Sequence, residues 1–409
     1  MLAILPAFIP STTLTVVKPL MRLHRSGLIT ADITLEPWVS AHQMRRADMI
    51  VFCRNTNAEV LDLALASAKP FIYNLDDNLF EIPSVYKNQL SLDQAKQLER
   101  YLTCANLVRA YSEPLRQYLL QFNANTETVE CAVDWDLIPK LPKRDDQRVS
   151  IVYATSRWDK DTMVSLFLDD LKQLLETHGD CVRVSFWGYH PPELRLHPAV
   201  RFLNFTSNYD RFFRRFAQAQ FDIGLAPLRD DLFHAAKCHN KFREYAATRI
   251  AGIYSKVSVY SSCVEHERTG LLVENRPGAW RAALIRLIED GALRERIQTA
   301  AFAAASARYQ TANNDLVWLA HINGVLADSG EVVGRKPLGI AGARVAPRPG
   351  SLRLLRRIAG QTLLLAKIFV RDGFRKSFQW GKLYGSSVIQ LVKIRLALLH
   401  RPAAELKIE

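Results

Sequence analysis

The chain has 409 residues, enough for two or three domains of ordinary size. Its net charge of +13 is concentrated at one end, because residues 331–409 carry +12 and the first 330 residues carry only about +1. A nearly neutral body argues against a nucleic-acid-binding protein, and six scattered cysteines without paired spacing argue against a disulfide framework or a zinc site.

Apolar runs alternate with helical patterns over the first 330 residues. The opening stretch MLAILPAFIPSTTLTVVKPLMRL has no positively charged start and is broken by prolines, so it predicts a first strand and helix and not a signal peptide. Further strands are predicted at Ile33–Leu35, Met49–Cys53, Phe71–Leu75, Leu107–Ala110, Val149–Ala154, Arg183–Trp187, Val200–Leu203, Phe221–Ala226 and Gly252–Ser255. This alternation is typical of α/β proteins with parallel sheets and crossover helices. Since no uncharged apolar run of about 18 residues occurs, no membrane-spanning helix is expected.

One polar stretch divides this pattern. DWDLIPKLPKRDDQR (134–148) contains prolines and charges without a clear period, as expected of a linker. We therefore predict an N-terminal α/β domain over 1–135, a linker over 136–148, a second α/β domain over 149–330 and a separate basic tail over 331–409.

Two carboxylates follow a strongly predicted strand in FIYNLDDNLFEIP. Asp76 and Asp77 would lie at the carboxyl end of that strand, the edge of an open α/β sheet where ligands bind. Aspartate and asparagine also form ordinary turns, so a structural role is an equal alternative. Further along, Ser112 followed by Glu113 and Pro114 is typical of a helix start, and we assign it a structural role.

A charged helix is predicted within AAKCHNKFREYAA (235–247). Steps of four and three residues put Lys237, Lys241 and Glu244 on one face and apolar side chains on the other, with Asn240 or the preceding histidine as N-cap. The helix follows the buried strand in FDIGLAPL, and a helix N-terminus at that edge of a sheet favours phosphate. Two interpretations remain open here, a solvated face of an amphipathic helix and a site for an anionic ligand.

Taken together, these motifs resemble those of the family 4-like glycosyltransferases with the GT-B fold. The second half is similar to their donor domain through SIVYATSRWDKDTM, VSFWGYHPPEL, the Lys/Glu block and RTGLLVEN, and the first half to their acceptor domain through ADMIVFCRN, YNLDDNLFEIP and ANLVRAYSEPL. The resemblance covers roughly residues 1–330. It implies two Rossmann-like domains facing a cleft, with a nucleotide-diphosphate sugar as co-substrate between them.

The resemblance also implies roles for individual residues. Glu244 would hold the ribose hydroxyls, since a carboxylate is a pure acceptor, and Lys237 and Lys241 would neutralise the diphosphate, with no metal and no other cofactor required. Asp76 or Asp77 would face the acceptor, a glycan or lipid-linked glycan, and transfer would retain the anomeric configuration. Weaker candidates for lining the donor pocket are Asn240, Ser156, Arg157, Gly188, Tyr209 and Tyr260.

Several departures from the family pattern support an alternative function. Family members often carry a glutamate where this chain has Ala236, and the turn after the first strand of the donor domain is usually rich in glycine, whereas here it is YATSRW. The alternative is a catalytically inactive GT-B-like scaffold that acts through its tail. In a second alternative, Asp76 and Asp77 are the metal ligands of a GT-A glycosyltransferase. That function would leave the second α/β domain without a role.

The tail raises a separate question. After a Gly/Pro/Arg-rich linker, SLRLLRRIAGQTLLLAKIF and SSVIQLVKIRLALLH predict basic amphipathic helices, and FRKSFQWGKLYG adds aromatic residues. Such helices suit an anionic membrane surface, since each basic residue near one contributes about 1 kcal/mol. The alternatives to membrane binding by residues 335–409 are packing on the GT-B body or on a partner protein, with nucleic-acid binding as the weakest of them. We expect a cytoplasmic enzyme, with the tail placing it on the inner face of the membrane.

Overall fold

The computed structural model describes residues 1–86, 88–140, 142, 147–157, 162–328 and 393–394. These residues form two six-stranded sheets in which all neighbouring strands pair in parallel. The first sheet has the spatial order β2-β1-β3-β4-β5-β6, and the second has the order β12-β11-β10-β7-β8-β9. The strands are β1 (Leu2–Leu5), β2 (Asp32–Leu35), β3 (Ile50–Cys53), β4 (Phe71–Leu75), β5 (Leu107–Ala110), β6 (Thr126–Thr128), β7 (Val149–Ala154), β8 (Val182–Trp187), β9 (Val200–Leu203), β10 (Ile223–Ala226), β11 (Ala251–Ser255) and β12 (Leu271–Val273).

Helices connect the strands and cover both sheets. In the first half they are α1 (Pro10–Thr12), which continues through a π-helical turn (Thr13–Val17) into α2 (Lys18–Arg25), and then α3 (Ala41–Arg46), α4 (Ala58–Ala66), α5 (Leu92–Cys104) and α6 (Glu113–Leu119). In the second half they are α7 (Leu168–His178), α8 (Tyr209–Gln218), α9 (Leu232–Ala235), α10 (Asn240–Ala247), α11 (Ser258–Ser261), α12 (Ala279–Glu289), α13 (Gly291–Arg308) and α14 (Thr311–Asp328).

The central strands are apolar throughout because helices cover them on both faces. Every residue of β1, β3, β4, β5, β10 and β11 is buried, which is the pattern of a parallel sheet in the middle of an α/β domain. The predicted α/β class is therefore confirmed, and the predicted strands match the observed ones to within two residues at each end. Two edge strands of three residues each, β6 and β12, were not predicted, because they are too short to show an apolar run.

Helix α14 does not remain with the second sheet. Its apolar stripe of Trp318, Ile322 and Val325 is buried in a hydrophobic cluster with β1 and β2 of the first sheet. The guanidinium carbon of the fully buried Arg109 on β5 lies 3.6 Å from the centre of the Trp318 ring, a cation–π contact. We predicted a second domain of 149–330; α14 lies within that range but packs on the first domain, where its apolar stripe is buried.

The basic tail lies almost entirely outside the described residues. Lys393 and Ile394 are helical, and Ile394 is buried in the same hydrophobic cluster as Trp318. The membrane-surface prediction for residues 335–409 therefore stays a prediction. Among the described helices, none is both long and apolar enough to span a bilayer.

Candidate active site

The carboxyl edges of the two sheets face one cavity of about 690 Å³. The first half of the chain contributes residues that follow β1, β3 and β4, and the second half contributes residues that follow β7 and β10 together with the start of α10. This is the edge at which open parallel sheets bind ligands. Of the residues predicted to form the site, the following line the cavity: Asp76, Asp77, Ser156, Arg157, Tyr209, Lys237, Asn240, Lys241, Glu244 and Tyr260.

The charged helix is shorter than predicted. The loop before it contains α9, capped by Asp231, whose side chain accepts from the backbone N–H of His234 at 2.9 Å. Helix α10 begins at Asn240, with His239 at the N-cap position but making no side-chain cap. Lys237 therefore lies in the turn between two helices and not on the helical face with Lys241, which corrects the sequence analysis. The break between α9 and α10 could not be predicted, because α9 spans a single turn and is too short to show a helical period.

The inner face of α10 is packed as the spacing predicts. Phe242, Tyr245 and Ala246 are buried, and the Tyr245 hydroxyl donates to the carbonyl of Leu225 on β10 at 2.8 Å. This packing and the hydrogen bond hold α10 against β10. The polar side chains of the helix are thereby fixed relative to the sheet edge.

Glu244 is not a solvated carboxylate. It is only 5% exposed, and its Oε2 lies 2.8 Å from Nζ of Lys241, one turn earlier on α10. Its Oε1 accepts a long hydrogen bond of 3.4 Å from the Tyr209 hydroxyl, and burial together with the Glu244 charge raises the pKa of Tyr209 well above its ordinary value. A nearly buried carboxylate with one cation and one hydroxyl beside it has accepting capacity to spare, which sugar hydroxyls could use.

Asp76 and Asp77 form an ion-pair network that crosses the cleft. Nη1 of Arg54 lies 2.9 Å from Asp76 and 3.3 Å from Asp77. Asp77 is also 2.8 Å from Nζ of Lys237, which belongs to the other half of the chain. Burial raises the pKa of Asp77, but Lys237 and Arg54 outweigh it and the pKa is lowered. Asp77 is therefore held as an anion, which suits it to accept a hydrogen bond and makes it a weak base.

Arg54 is a site residue that the sequence analysis missed. It has a left-handed backbone conformation (φ 61°), uncommon for a residue with a side chain, and its side chain is 15% exposed in the cavity wall. The signal was available, because Arg54 follows the buried strand β3 just as Asp76 follows β4. Neighbouring parallel strands bring such residues together at one edge of the sheet.

The weaker candidates for the donor pocket differ in their contacts and burial. The guanidinium carbon of Arg157 lies 3.6 Å from the centre of the Tyr86 ring, so Arg157 spans the cleft by a cation–π contact. Ser156 precedes it in the loop after β7. Asn240 has a buried Oδ1 without a hydrogen-bond partner in the described structure, whereas Tyr260 is buried in α11 and burial raises its pKa.

Gly188 does not line the cavity. It follows β8 with φ +102°, and a Cβ built there would lie 2.0 Å from the carbonyl oxygen of Thr155. The residue is glycine because two backbone segments pass closely at the end of the sheet. Its predicted place in the donor pocket is therefore not supported by its position.

We expect Gly188→Ala to lower the free energy of unfolding by about 1–3 kcal/mol, since it adds both an unfavourable φ and a clash with backbone. Urea unfolding would measure this. Gly291→Ala is the control, because it lies at a helix start with only the end of a flexible arginine near its Cβ position. A Gly188→Ala protein as stable as the wild type would contradict the steric explanation.

Solved structures with the same architecture decide the fold. The Anabaena HepE protein in complex with UDP and glucose superposes with a TM-score of 0.57 at 16% identity, over 79% of this chain and 99% of its own. Sucrose-phosphate synthase from Thermosynechococcus elongatus gives 0.58 at 11% identity, over 80% of this chain and 99% of its own. A glycosyltransferase from Rickettsia africae gives 0.57 at 14% identity, over 81% and 99%.

The fold is GT-B. The predicted resemblance is confirmed, and the GT-A alternative is wrong at the level of the fold. Residues 148–290 also match the family model described as "Glycosyl transferases group 1", which covers β7 to α12 of the second GT-B domain. Comparison with curated protein sequences gives no match.

Proposed function

We propose that this GT-B protein is a glycosyltransferase that moves a sugar from a nucleotide-diphosphate donor to a glycan or lipid-linked glycan. The observation that carries the proposal is one cavity in which Lys237, Lys241 and Glu244 of the second half face Asp76 and Asp77 of the first. Support for the donor class comes from the family-model match and from HepE, a protein of the same fold whose structure contains UDP and glucose.

The proposed reaction depends on stabilising the negative charge of the departing diphosphate. Departure of a nucleoside diphosphate leaves negative charge on its oxygens, and fixed cations placed in advance lower that barrier. Among the described residues, Lys237, Lys241 and Arg157 are the cations on the donor side of the cavity, with Glu244 as the carboxylate among them. We assign Glu244 to the ribose hydroxyls and the lysines to the diphosphate.

Two further parts of the proposal concern metal and stereochemistry. We propose transfer without a metal ion and with retention of configuration. Within the described ranges, no three His, Cys, Asp or Glu side chains are grouped as a metal site, and Asp76 and Asp77 face Arg54 and Lys237. Transfer should accordingly continue in EDTA, and NMR of the product would report its anomeric configuration.

Thermal unfolding with UDP, GDP and ADP, and then with their sugar conjugates, tests the donor class. A nucleotide at about 100 times its dissociation constant should add about 2.7 kcal/mol to the free energy of unfolding, a shift of a few degrees. Nucleoside monophosphates serve as controls, because they lack the second phosphate. If none of the diphosphates stabilises the protein, the inactive scaffold becomes the better explanation.

For the acceptor and location, we propose a glycan or lipid-linked glycan used in surface polysaccharide synthesis, with the basic tail holding the enzyme on the inner face of the membrane. The support is the charge of residues 331–409. Sedimentation with anionic liposomes tests it, and a chain lacking residues 335–409 should partition less.

A further inference from the structure

The segment before α10 is attached to the opposite half of the molecule. Phe233 and Ala236 are buried in the hydrophobic cluster of the first sheet. The hydroxyl of Ser112, at the start of α6, donates to the carbonyl of Ala236 at 2.6 Å. The next residue is Lys237, whose ammonium reaches Asp77. A short stretch of the second half is therefore held by the first half through apolar, hydrogen-bonding and ionic contacts.

Both lysines assigned to the diphosphate are already paired. Lys237 is paired with Asp77 and Lys241 with Glu244, each at 2.8 Å. A diphosphate that draws on these cations has to compete with the two carboxylates. The structure therefore raises the question of which ion pair opens.

The two ion pairs differ in the contacts that the carboxylate retains when its lysine leaves. If Lys241 left Glu244, a carboxylate that is 5% exposed would retain one long hydrogen bond from Tyr209. If Lys237 left Asp77, that carboxylate would still lie 3.3 Å from Arg54. Stranding a buried charge is far more unfavourable than exchanging one of two partners. The Lys237–Asp77 pair is thus the one that opens at lower free energy.

We infer that the Lys237–Asp77 ion pair is a latch between the two halves, and that a donor diphosphate opens it by taking Lys237 from Asp77. Asp77 then remains with Arg54 at the acceptor side of the cleft. The latch holds the cleft together before the donor arrives, and its opening frees the Asp77 oxygen that had been paired with Lys237. This inference rests on the proposed function for its ligand, but the ligand-free latch can be tested alone.

Asp77→Asn should make nucleoside diphosphates bind more tightly. The substitution keeps the shape of the side chain and removes the charge that competes for Lys237, so we expect about fivefold tighter binding, the scale of one partly exposed ion pair. Isothermal titration calorimetry with UDP, GDP and ADP measures it. In a Lys237→Met background, Asp77→Asn should change the affinity less than about twofold, since the two sites act through one contact.

Asp76→Asn is the matched control. Asp76 contacts Arg54 and, among the described side chains, Lys237 is not its partner. It should therefore raise the affinity less than Asp77→Asn does. If Asp77→Asn binds nucleoside diphosphates no more tightly than the wild type, while Lys237→Met binds them more weakly, the Lys237–Asp77 pair persists in the complex. That result would overturn the proposal that the donor takes Lys237 from Asp77.

Amide hydrogen exchange separates failure of the latch from failure of the proposed function. Without any ligand, Asp77→Asn should raise exchange over residues 233–238 about fivefold, and Asp76→Asn should raise it less. Unchanged exchange there rejects the latch whatever the nucleotide results. Faster exchange in a protein that binds no nucleotide would keep the latch and reject the donor.

Discussion

Lys237→Met should lower kcat for transfer by about 100- to 1,000-fold, the loss found when one preorganised charge-stabilising group is removed from a transition state. Lys237 lines the cavity from a turn that contacts with the first half of the chain hold in place, so the backbone that carries its ammonium is positioned before the donor arrives. Its charge matters most when the diphosphate departs, and the effect should fall mainly on kcat and less on KM.

Steady-state kinetics with the sugar conjugate of the stabilising nucleotide would measure this change. Lys172→Met is the control, because Lys172 is an exposed residue of α7 that pairs with Asp169 away from the cavity. Lys237→Arg should retain part of the activity, since it keeps the charge but spreads it over a larger planar group. Wild-type turnover in Lys237→Met would remove this lysine from the mechanism.

Glu244→Gln should weaken nucleotide diphosphate binding by about 10- to 100-fold, which corresponds to the 1.5–3 kcal/mol of a hydrogen bond to a charged group. The amide keeps the size of the side chain but loses the negative charge, so it accepts more weakly from ribose hydroxyls. Calorimetry with UDP, GDP and ADP would give the loss. Glu295→Gln, an exposed glutamate on α13, should bind like the wild type.

A 2′-deoxynucleoside diphosphate makes the test specific for the ribose. The wild type should discriminate against it, and Glu244→Gln should discriminate little. Equal discrimination by both proteins would place the ribose elsewhere. Glu244→Ala should in addition lower the free energy of unfolding by about 1–3 kcal/mol, because the buried ion pair with Lys241 is broken.

Strand positions were predictable because their cause is local. Phe71–Leu75 and Val149–Ala154 are apolar runs ended by polar residues, and each strand has those bounds in the structure. β6, with the sequence TET, has no such run, because an edge strand of three residues is half exposed and draws its stability from a single neighbour. The apolar face of α10 followed from the 3.6-residue period, whereas its start did not, since no side chain caps it.

The contacts between polar side chains in the cleft were harder to predict from the sequence. The sequence placed Asp77 and Lys237 in one cleft only through the family resemblance, and nothing in it pairs two residues 160 positions apart. Arg54 could have been found from its place after a buried strand. The burial of Glu244 could not, because it depends on how Tyr209 from another helix covers it.

The return of α14 to the first sheet makes that domain discontinuous in sequence. One of its hydrophobic clusters combines residues of β1 and β2 with Trp318, Ile322 and Val325 of α14. During synthesis the second sheet can be completed before α14 emerges, and until then β1 and β2 lack the part of their cover that α14 supplies and Arg109 lacks its aromatic neighbour. The half of the chain that is synthesised first can therefore complete its packing only after the second half has been synthesised.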